Sequence, residues 1–288
     1  MTHKTISENP IKFFPYSLIF NILILICYKR YSSLKILKQN IKIVMKKYVK
    51  KFINRLLKRD KQIIQKQATP YEFINWLCFA NAGMLDNGNI YCFEYAIENL
   101  PSTNPIIEIG SFCGLSTNLM RFYLRKYNKP NKLITCDKWI FEGAEIPSNL
   151  LEGSNITHQE YKNFVKETYI RNTSFFSKDH LPYTIEQFSD DFFSLWESQK
   201  LETDVLGRQI QLGGKISFAY IDGNHTYEYA KRDFENVDKH LEIGGFILFD
   251  DSGDNSKWEV CKVINEIKES GKYEVIINNP NYLIRKYS

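Results

Sequence analysis

The chain has 288 residues, 43% of them hydrophobic and 15% aromatic, a composition that indicates a globular protein and excludes a disordered one. Its six cysteines include no CxxC pair, which argues against a zinc site or a disulfide framework and favours a reducing compartment. The formal net charge is +5, but residues 29–61 alone hold 13 Lys/Arg and one Asp, so the basicity lies near the N-terminus.

The first predicted segment is an N-terminal arm, residues 1–65, which precedes one domain, residues 66–288. The arm contains an apolar stretch, Phe13–Tyr28, followed by a basic pattern with helical period. As a helix, the apolar stretch would rise about 24 Å, which is less than the roughly 30 Å of a bilayer core. A basic amphipathic helix after such a stretch is typical of a membrane-surface element.

We therefore expect residues 13–61 to bind a membrane surface and to hold the domain on the cytoplasmic side. Docking of a solvated basic helix on the acidic domain, or on a partner subunit, is the alternative. No reader motif for nucleic acid accompanies the charge, so we expect no nucleic-acid partner.

From residue 66 on, patterns typical of strands and helices alternate, which favours an α/β fold with a parallel sheet covered on both faces. Helices are predicted at Tyr71–Ile97 (one or two), Leu115–Tyr127, Tyr227–Leu241 and Trp258–Ile267. Strands are predicted at Ile106–Ile109, Lys132–Asp137, Tyr183–Gln187, Ile216–Ile221, Phe246–Phe249, Tyr273–Ile277 and Tyr282–Arg285.

Three segments interrupt this alternation. Asn87-Gly88 predicts a turn within the first helical region. Lys138–Leu181 is long, mixed and aromatic, and loops of that length in compact domains are usually functional lids. Gln199–Lys215 predicts a hairpin or a surface loop.

A glycine turn follows the first predicted strand and reads Glu108-Ile-Gly110-Ser-Phe-Cys-Gly114. Phe112 stands where a dinucleotide fingerprint requires a second glycine, which disfavours an NAD-dependent oxidoreductase. Glu108 suits a ligand with a cationic amine, and Asp137 at the tip of the next strand can take a ribose diol. An amine and a ribose without phosphates indicate S-adenosylmethionine. The alternative is a plain strand–turn–helix in which glycines serve tight packing.

A second cluster of polar residues follows two later strands. Asp222 ends one strand, His225 comes three residues on, and Asp250-Asp251 end the next strand. Strand ends of the same polarity open onto one crevice, so these side chains suit a hard cation and a proton acceptor. The plain alternatives are a helix cap for Asp222, turn residues for the aspartate pair, and a hydrogen bond within the loop for His225.

Two runs carry a resemblance to a known family: EIGSFCGLS, and IDGNHTYEYAKRDFENVDKHLEIGGFILFDD. Over residues 70–288 the chain resembles class I S-adenosylmethionine-dependent methyltransferases. Within them it is most similar to the metal-dependent O-methyltransferases of the catechol and macrolide-sugar types. The resemblance implies a Rossmann-like, doubly wound sheet of seven mostly parallel strands, ordered 3-2-1-4-5-7-6, with strand seven antiparallel.

The resemblance also implies roles for individual residues. Glu108 would lie near the methionine end of the cofactor, Asp137 on its ribose and Ser189 near its adenine. Further cofactor contacts would come from Gly110, Ser111, Gly114 and Ser116.

By the same resemblance, a divalent cation, Mg²⁺, would be held by Asp222, Asp250 and Asp251. His225 occupies the position of the general base.

The leading hypothesis is therefore an O-methyltransferase acting on a hydroxyl of a small-molecule or saccharide acceptor. Two alternatives are a methyltransferase without metal, in which His225 acts alone, and a membrane-docked binding or scaffold protein without catalysis. Trp139, Phe141 and Tyr161 are candidate walls of the acceptor pocket, with packing of a lid as their plain interpretation. The helical region Tyr71–Ile97 is the candidate surface for a homo-oligomer.

Overall fold

The computed structural model describes residues 71–141, 150 and 153–288. The predicted arm of residues 1–65, and with it the membrane-surface hypothesis, lies outside the described residues. None of the helices formed by the described residues is long and apolar enough to cross a bilayer.

The described residues alternate between helices and strands, as predicted. The helices are α1 (Glu72–Ala80), α2 (Asn87–Glu98), α3 (Leu115–Lys126), α4 (His158–Phe176), α5 (Ser189–Glu197), α6 (Tyr227–His240) and α7 (Val260–Ser270). The strands are β1 (Ile106–Ile109), β2 (Leu133–Cys136), β3 (Tyr183–Ile185), β4 (Leu201–Thr203), β5 (Gln209–Gln211), β6 (Ile216–Ile221), β7 (Leu241–Phe249), β8 (Tyr273–Asn278) and β9 (Tyr282–Lys286).

Seven of these strands form one sheet in the order β3-β2-β1-β6-β7-β9-β8. Neighbours from β3 to β7 pair in parallel, whereas β9 is antiparallel to both β7 and β8. Strands β4 and β5 form a separate antiparallel hairpin within the predicted hairpin region. When that hairpin is left out of the count, the strand order is 3-2-1-4-5-7-6, so the predicted Rossmann-like α/β fold is confirmed.

The central strands are buried on both faces because each face packs against helices. Every residue of β6 is buried, and its side chains alternate between two apolar clusters. Phe218 and Tyr220 pack with residues of α1, α2 and α3, whereas Ala219 and Ile221 pack with residues of α5, α6 and α7. A near-continuous apolar strand is the expected sequence pattern for a parallel strand covered on both sides.

Two predictions for the interrupting segments were wrong. Lys138–Leu181 is not only a lid loop, because it contains the 19-residue helix α4. Thr157 and Glu160 form a capping box at the start of that helix. Asn87-Gly88 does not form a turn within a helix but begins α2. A Cβ on Gly88 would lie 1.5 Å from the carbonyl oxygen of Asn279, so the glycine allows a close backbone approach.

Candidate active site

The glycine turn joins β1 to α3 through left-handed backbone. Gly110, Phe112 and Gly114 have φ values of 80°, 43° and 90°. A Cβ on Gly110 would lie 1.9 Å from the carbonyl oxygen of Asp222, so only glycine fits where the turn meets the end of β6. The backbone N–H of Asp222 donates to the carbonyl of Ile109 at 2.8 Å, which fixes the two segments side by side.

Glu108 lies beneath this turn and has no exposed surface. The hydroxyls of Ser116 and Thr117 each donate to one of its carboxyl oxygens at 2.5 Å. Burial raises the pKa of Glu108 to about 8, although the two hydroxyl donors act in the opposite direction. In the structure, Glu108 therefore ties the first turn of α3 to β1 from below.

Asp137 follows β2 and lies directly against the glycine turn. Its Oδ2 accepts the backbone N–H groups of Ser111 and Phe112 at 2.8 and 3.0 Å, and its Oδ1 accepts that of Trp139 at 2.6 Å. Burial raises the pKa of Asp137, and these donors partly oppose the rise. The structure thus brings together the turn and the carboxylate that the sequence predicted to share one ligand.

A network of amides that sequence reasoning missed holds the far side of the turn. Asn81 after α1 and Asn172 on α4 donate to the carbonyl oxygen of Cys113 at 2.9 and 2.8 Å. Asn118 on α3 donates to Asn81 at 2.8 Å. Asn81 and Asn118 are almost fully buried, so their amides hold the turn in place and do not contact solvent. A long-range amide contact of this kind has no local sequence signal.

Ser189, which was predicted to lie near adenine, is the first residue of α5. It therefore stands four residues after the end of β3, at the same sheet edge as the glycine turn. A side-chain hydrogen bond links it to the buried Asp233 of α6, whose pKa burial raises to about 7.

The acidic cluster forms at the adjacent ends of β6 and β7. One ligand atom from each of Asp222, His225 and Asp250 lies within 4.8 Å of the others. His225 Nε2 is 3.3 Å from Asp222 Oδ1 and 3.7 Å from Asp251 Oδ2. The predicted set of three aspartates and one histidine therefore meets in one place. The histidine, which was predicted as the base only, lies among the carboxylates, and Asp251 lies beside it.

The electrostatics of this cluster favour a cation. Burial, together with the charges of Asp222 and Asp251, raises the pKa of Asp250 to about 8. Burial also raises the pKa of Asp222 well above its ordinary value. Carboxylates held this close repel one another when ionised, and a divalent cation between them would relieve that repulsion.

Neutral donors that the sequence analysis did not identify hold these carboxylates in place. Asn89 on α2 and Asn281 before β9 donate to Asp250 Oδ1 at 2.5 and 2.9 Å. Tyr220 donates its hydroxyl to Asp222 Oδ2 at 3.0 Å. These neutral donors orient the acids and leave their ionisation to a counter-charge, which a cation would supply.

Aromatic side chains lie on either side of the site. Trp139 is buried and donates its indole N–H to the carbonyl of Phe112 at 3.0 Å, so it packs the turn rather than lining an open wall. The rings of Phe141 and Tyr161 lie 5.0 Å apart beside it. Trp258, which the sequence analysis placed only at a helix start, lies 5.2 Å from the ring of His225.

Comparison with known proteins gives three kinds of match. The family described as "Methyltransferase domain" matches residues 107–252. An uncharacterized protein of Acanthamoeba polyphaga mimivirus is 27% identical over 202 residues, which cover 65% of this chain and 75% of that protein.

Solved structures of similar architecture include three methyltransferases. The O-methyltransferase NovP is 18% identical, over 69% of this chain and 79% of its own, with a TM-score of 0.43. An O-methyltransferase from Bacillus cereus in complex with SAH is 13% identical, over 80% and 96%, with a TM-score of 0.46. The SAH-bound methyltransferase PaMTH1 of Podospora anserina is 11% identical, over 83% and 96%, with a TM-score of 0.49.

Proposed function

The chain belongs to the methyltransferase-domain family, and from this premise we propose that it transfers a methyl group from S-adenosylmethionine to a hydroxyl of a small-molecule or saccharide acceptor. The observation that supports this most is the backbone contact between the glycine turn and the acidic cluster. Gly110 leaves room for the carbonyl of Asp222, and Asp222 donates to Ile109. A methyl donor bound on the turn would therefore lie next to the acids and His225.

The cofactor would be held by the residues around the turn. The backbone of Gly110, Ser111 and Gly114 would approach it closely. The carboxylate of Asp137 would accept hydrogen bonds from the two ribose hydroxyls. Ser116 and Ser189 would contribute polar contacts, the latter toward the adenine. Since Glu108 is buried and bonded to Ser116 and Thr117, we assign it the role of holding the first turn of α3 in position under the methionine end.

The second half of the proposal is a divalent cation held by Asp222, Asp250 and Asp251. When bound, such a cation supplies positive charge that lowers the pKa of an acceptor hydroxyl. Asp222 orients His225 through the 3.3 Å contact to Nε2. His225 would accept the hydroxyl proton, and the remaining acceleration would come from positioning of the acceptor oxygen against the methyl group.

A methyltransferase without metal is the second candidate, and one observation favours it. His225 Nε2 faces the carboxylates of Asp222 and Asp251 at 3.3 and 3.7 Å. Contacts to two carboxyl groups hold the imidazole ring in one orientation, so the histidine could act as the base on its own.

Calorimetry with S-adenosylhomocysteine, combined with turnover measurements, tests the proposal. Asp222→Ala and Asp250→Ala should bind S-adenosylhomocysteine like the unmodified chain but lose methyl transfer, because they alter the acids and leave the turn intact. Asp191→Ala is the matched control, since Asp191 is exposed on α5, and it should keep both properties. Failure of the unmodified chain to bind S-adenosylhomocysteine would remove both enzyme hypotheses and leave the binding or scaffold protein.

A further inference from the structure

A large cleft lies at the opposite edge of the sheet from the glycine turn. Its volume is about 710 Å³. Residues from the starts of β2 and β3, the end of α3 and the segment that follows α4 line it. Because parallel strands bring the candidate active site to their carboxyl ends, this cleft at their amino ends is separate from it.

The cleft is basic, although the domain around it is acidic. Residues 62–288 contain 23 Lys/Arg and 31 Asp/Glu. Asp179 is the one carboxylate of the cleft lining in the described part of the chain. The cations that line it are Arg121, Arg125, Lys129, Lys132, Lys178 and Arg208. Because the domain as a whole carries net negative charge, the cluster of positive charge in this cleft requires a local explanation.

Internal contacts account for two of these cations. Arg208 pairs with Asp204 and donates to the carbonyl of Pro182. Arg125 lies 3.9 Å from Asp179 and in the last turn of α3, where positive charge is favourable to the helix dipole.

The other four cations have no ion pair within the described residues. They are Arg121, Lys129, Lys132 and Lys178. The Nε of Arg121 is buried and has no hydrogen-bond partner there. Burial and the neighbouring Arg125 lower the pKa of Arg121 to about 10, so the guanidinium stays charged near neutral pH. A buried cationic donor without a partner is costly, and an anion in the cleft would provide that partner.

We propose that this cleft binds a small molecule that carries two or more phosphate groups. Guanidinium groups match phosphate oxygens in geometry, and lysines add point charges around them. The volume lies within the roughly 300–1,000 Å³ of small-molecule sites, and a concave site of this size suits a compact ligand better than the flat surface of a bilayer.

The test is calorimetry on the full chain with phosphate, pyrophosphate and tripolyphosphate as probes. Affinity should rise along that series and fall with added salt. Arg121→Gln should weaken tripolyphosphate binding by about tenfold or more, as expected for loss of a charged hydrogen bond. The exposed pair Lys132→Glu/Lys178→Glu should weaken it at least as much while leaving the melting temperature unchanged. Arg171→Gln, the same change at an exposed residue of α4, should have no effect.

Three outcomes would overturn the proposal. One is absence of tripolyphosphate binding at millimolar concentration, and another is equal binding by the lysine double variant and the unmodified chain. The third is binding only to phosphoinositide vesicles or to RNA. Because the variants lie far from the glycine turn, their affinity for S-adenosylhomocysteine should not change, so the result is independent of the proposed methyl transfer.

Discussion

Two buried carboxyl groups, those of Glu108 and Asp250, have pKa values raised well above their ordinary range. Asp250 is 6% exposed and lies beside two other carboxylates, so its ionised form is unfavourable without a counter-charge. Asn89 and Asn281 nevertheless keep it in one orientation. A carboxylate fixed by neutral amides in an acidic cluster is the arrangement expected of a cation ligand rather than of a turn residue.

The variant Asp250→Asn separates these two roles. Methyl transfer should fall by on the order of 10²-fold or more, because a neutral amide replaces a charged ligand. Mg²⁺ should raise the melting temperature of the unmodified chain through binding to the folded state but should leave that of the variant unchanged. Differential scanning fluorimetry with and without Mg²⁺ measures this. An equal Mg²⁺ response in both proteins would indicate that Asp250 does not bind the cation.

Glu108 gives a pH-dependent prediction. Its pKa is raised to about 8 in the folded state from an ordinary 4.5, so the folded chain retains a proton that the unfolded chain has lost. The free energy of unfolding contributed by Glu108 therefore falls as the pH rises from about 4.5 to about 8, by at most about 1.4 kcal/mol per pH unit.

Glu108→Gln should remove that slope, because Gln carries no charge and still accepts one hydroxyl donor. Urea titrations at pH 5, 6, 7 and 8 should thus show a flatter stability profile for Glu108→Gln than for the unmodified chain. Glu98→Gln, on the exposed face of α2, should keep the original profile. If Glu108→Gln retains the original slope, Glu108 is ionised in the folded protein.

Among the helices, strands and turns, the strands of the main sheet and the glycine turn were predicted from the sequence because their signals are local. The apolar run of β6 and the left-handed positions at Gly110 and Gly114 are visible in the residues themselves. Helix α4 was missed although Thr157 and Glu160 carry a capping-box signal, because the whole aromatic segment Lys138–Leu181 that contains it was interpreted as one lid. Gly88 was assigned to a turn because its close contact with Asn279 is a tertiary effect.

The junction of β1 and α3 has no room for a side chain at residue 110. Gly110→Ala adds a Cβ that would lie 1.9 Å from a backbone carbonyl oxygen, at a φ of 80°. Gly207→Ala is the matched control, since Gly207 has a φ of 78° and no atom within 4 Å of the added Cβ. Gly207→Ala should cost about 1–2 kcal/mol of unfolding free energy from the left-handed backbone alone.

Gly110→Ala should cost more than Gly207→Ala and should also weaken S-adenosylhomocysteine binding, since the turn must move away from Asp222. Chemical denaturation and calorimetry measure the two effects. Equal destabilisation by both substitutions would show that the close approach of the turn to β6 has no energetic role.

Across the whole molecule, the sheet order brings the glycine turn, Asp137 and the acidic cluster to one edge and the basic cleft to the other. The sequence indicated the first edge because strand ends of equal polarity must converge. It did not indicate the amides of Asn81, Asn89 and Asn281, whose partners lie far along the chain. It also did not indicate the cleft, because its cations come from separate elements that only the fold assembles.

We propose that a methyl donor and a divalent cation act together at one edge of the sheet. The most direct test is a methyl-transfer assay with labelled S-adenosylmethionine over a panel of nucleotide sugars, glycolipids and catechols, run in excess EDTA and after restoration of Mg²⁺. We predict transfer to an acceptor hydroxyl that is lost in EDTA and returns with Mg²⁺. Transfer at full rate in EDTA would contradict the role of the cation, and a methylated product without an O-methyl group would contradict the assignment of a hydroxyl acceptor.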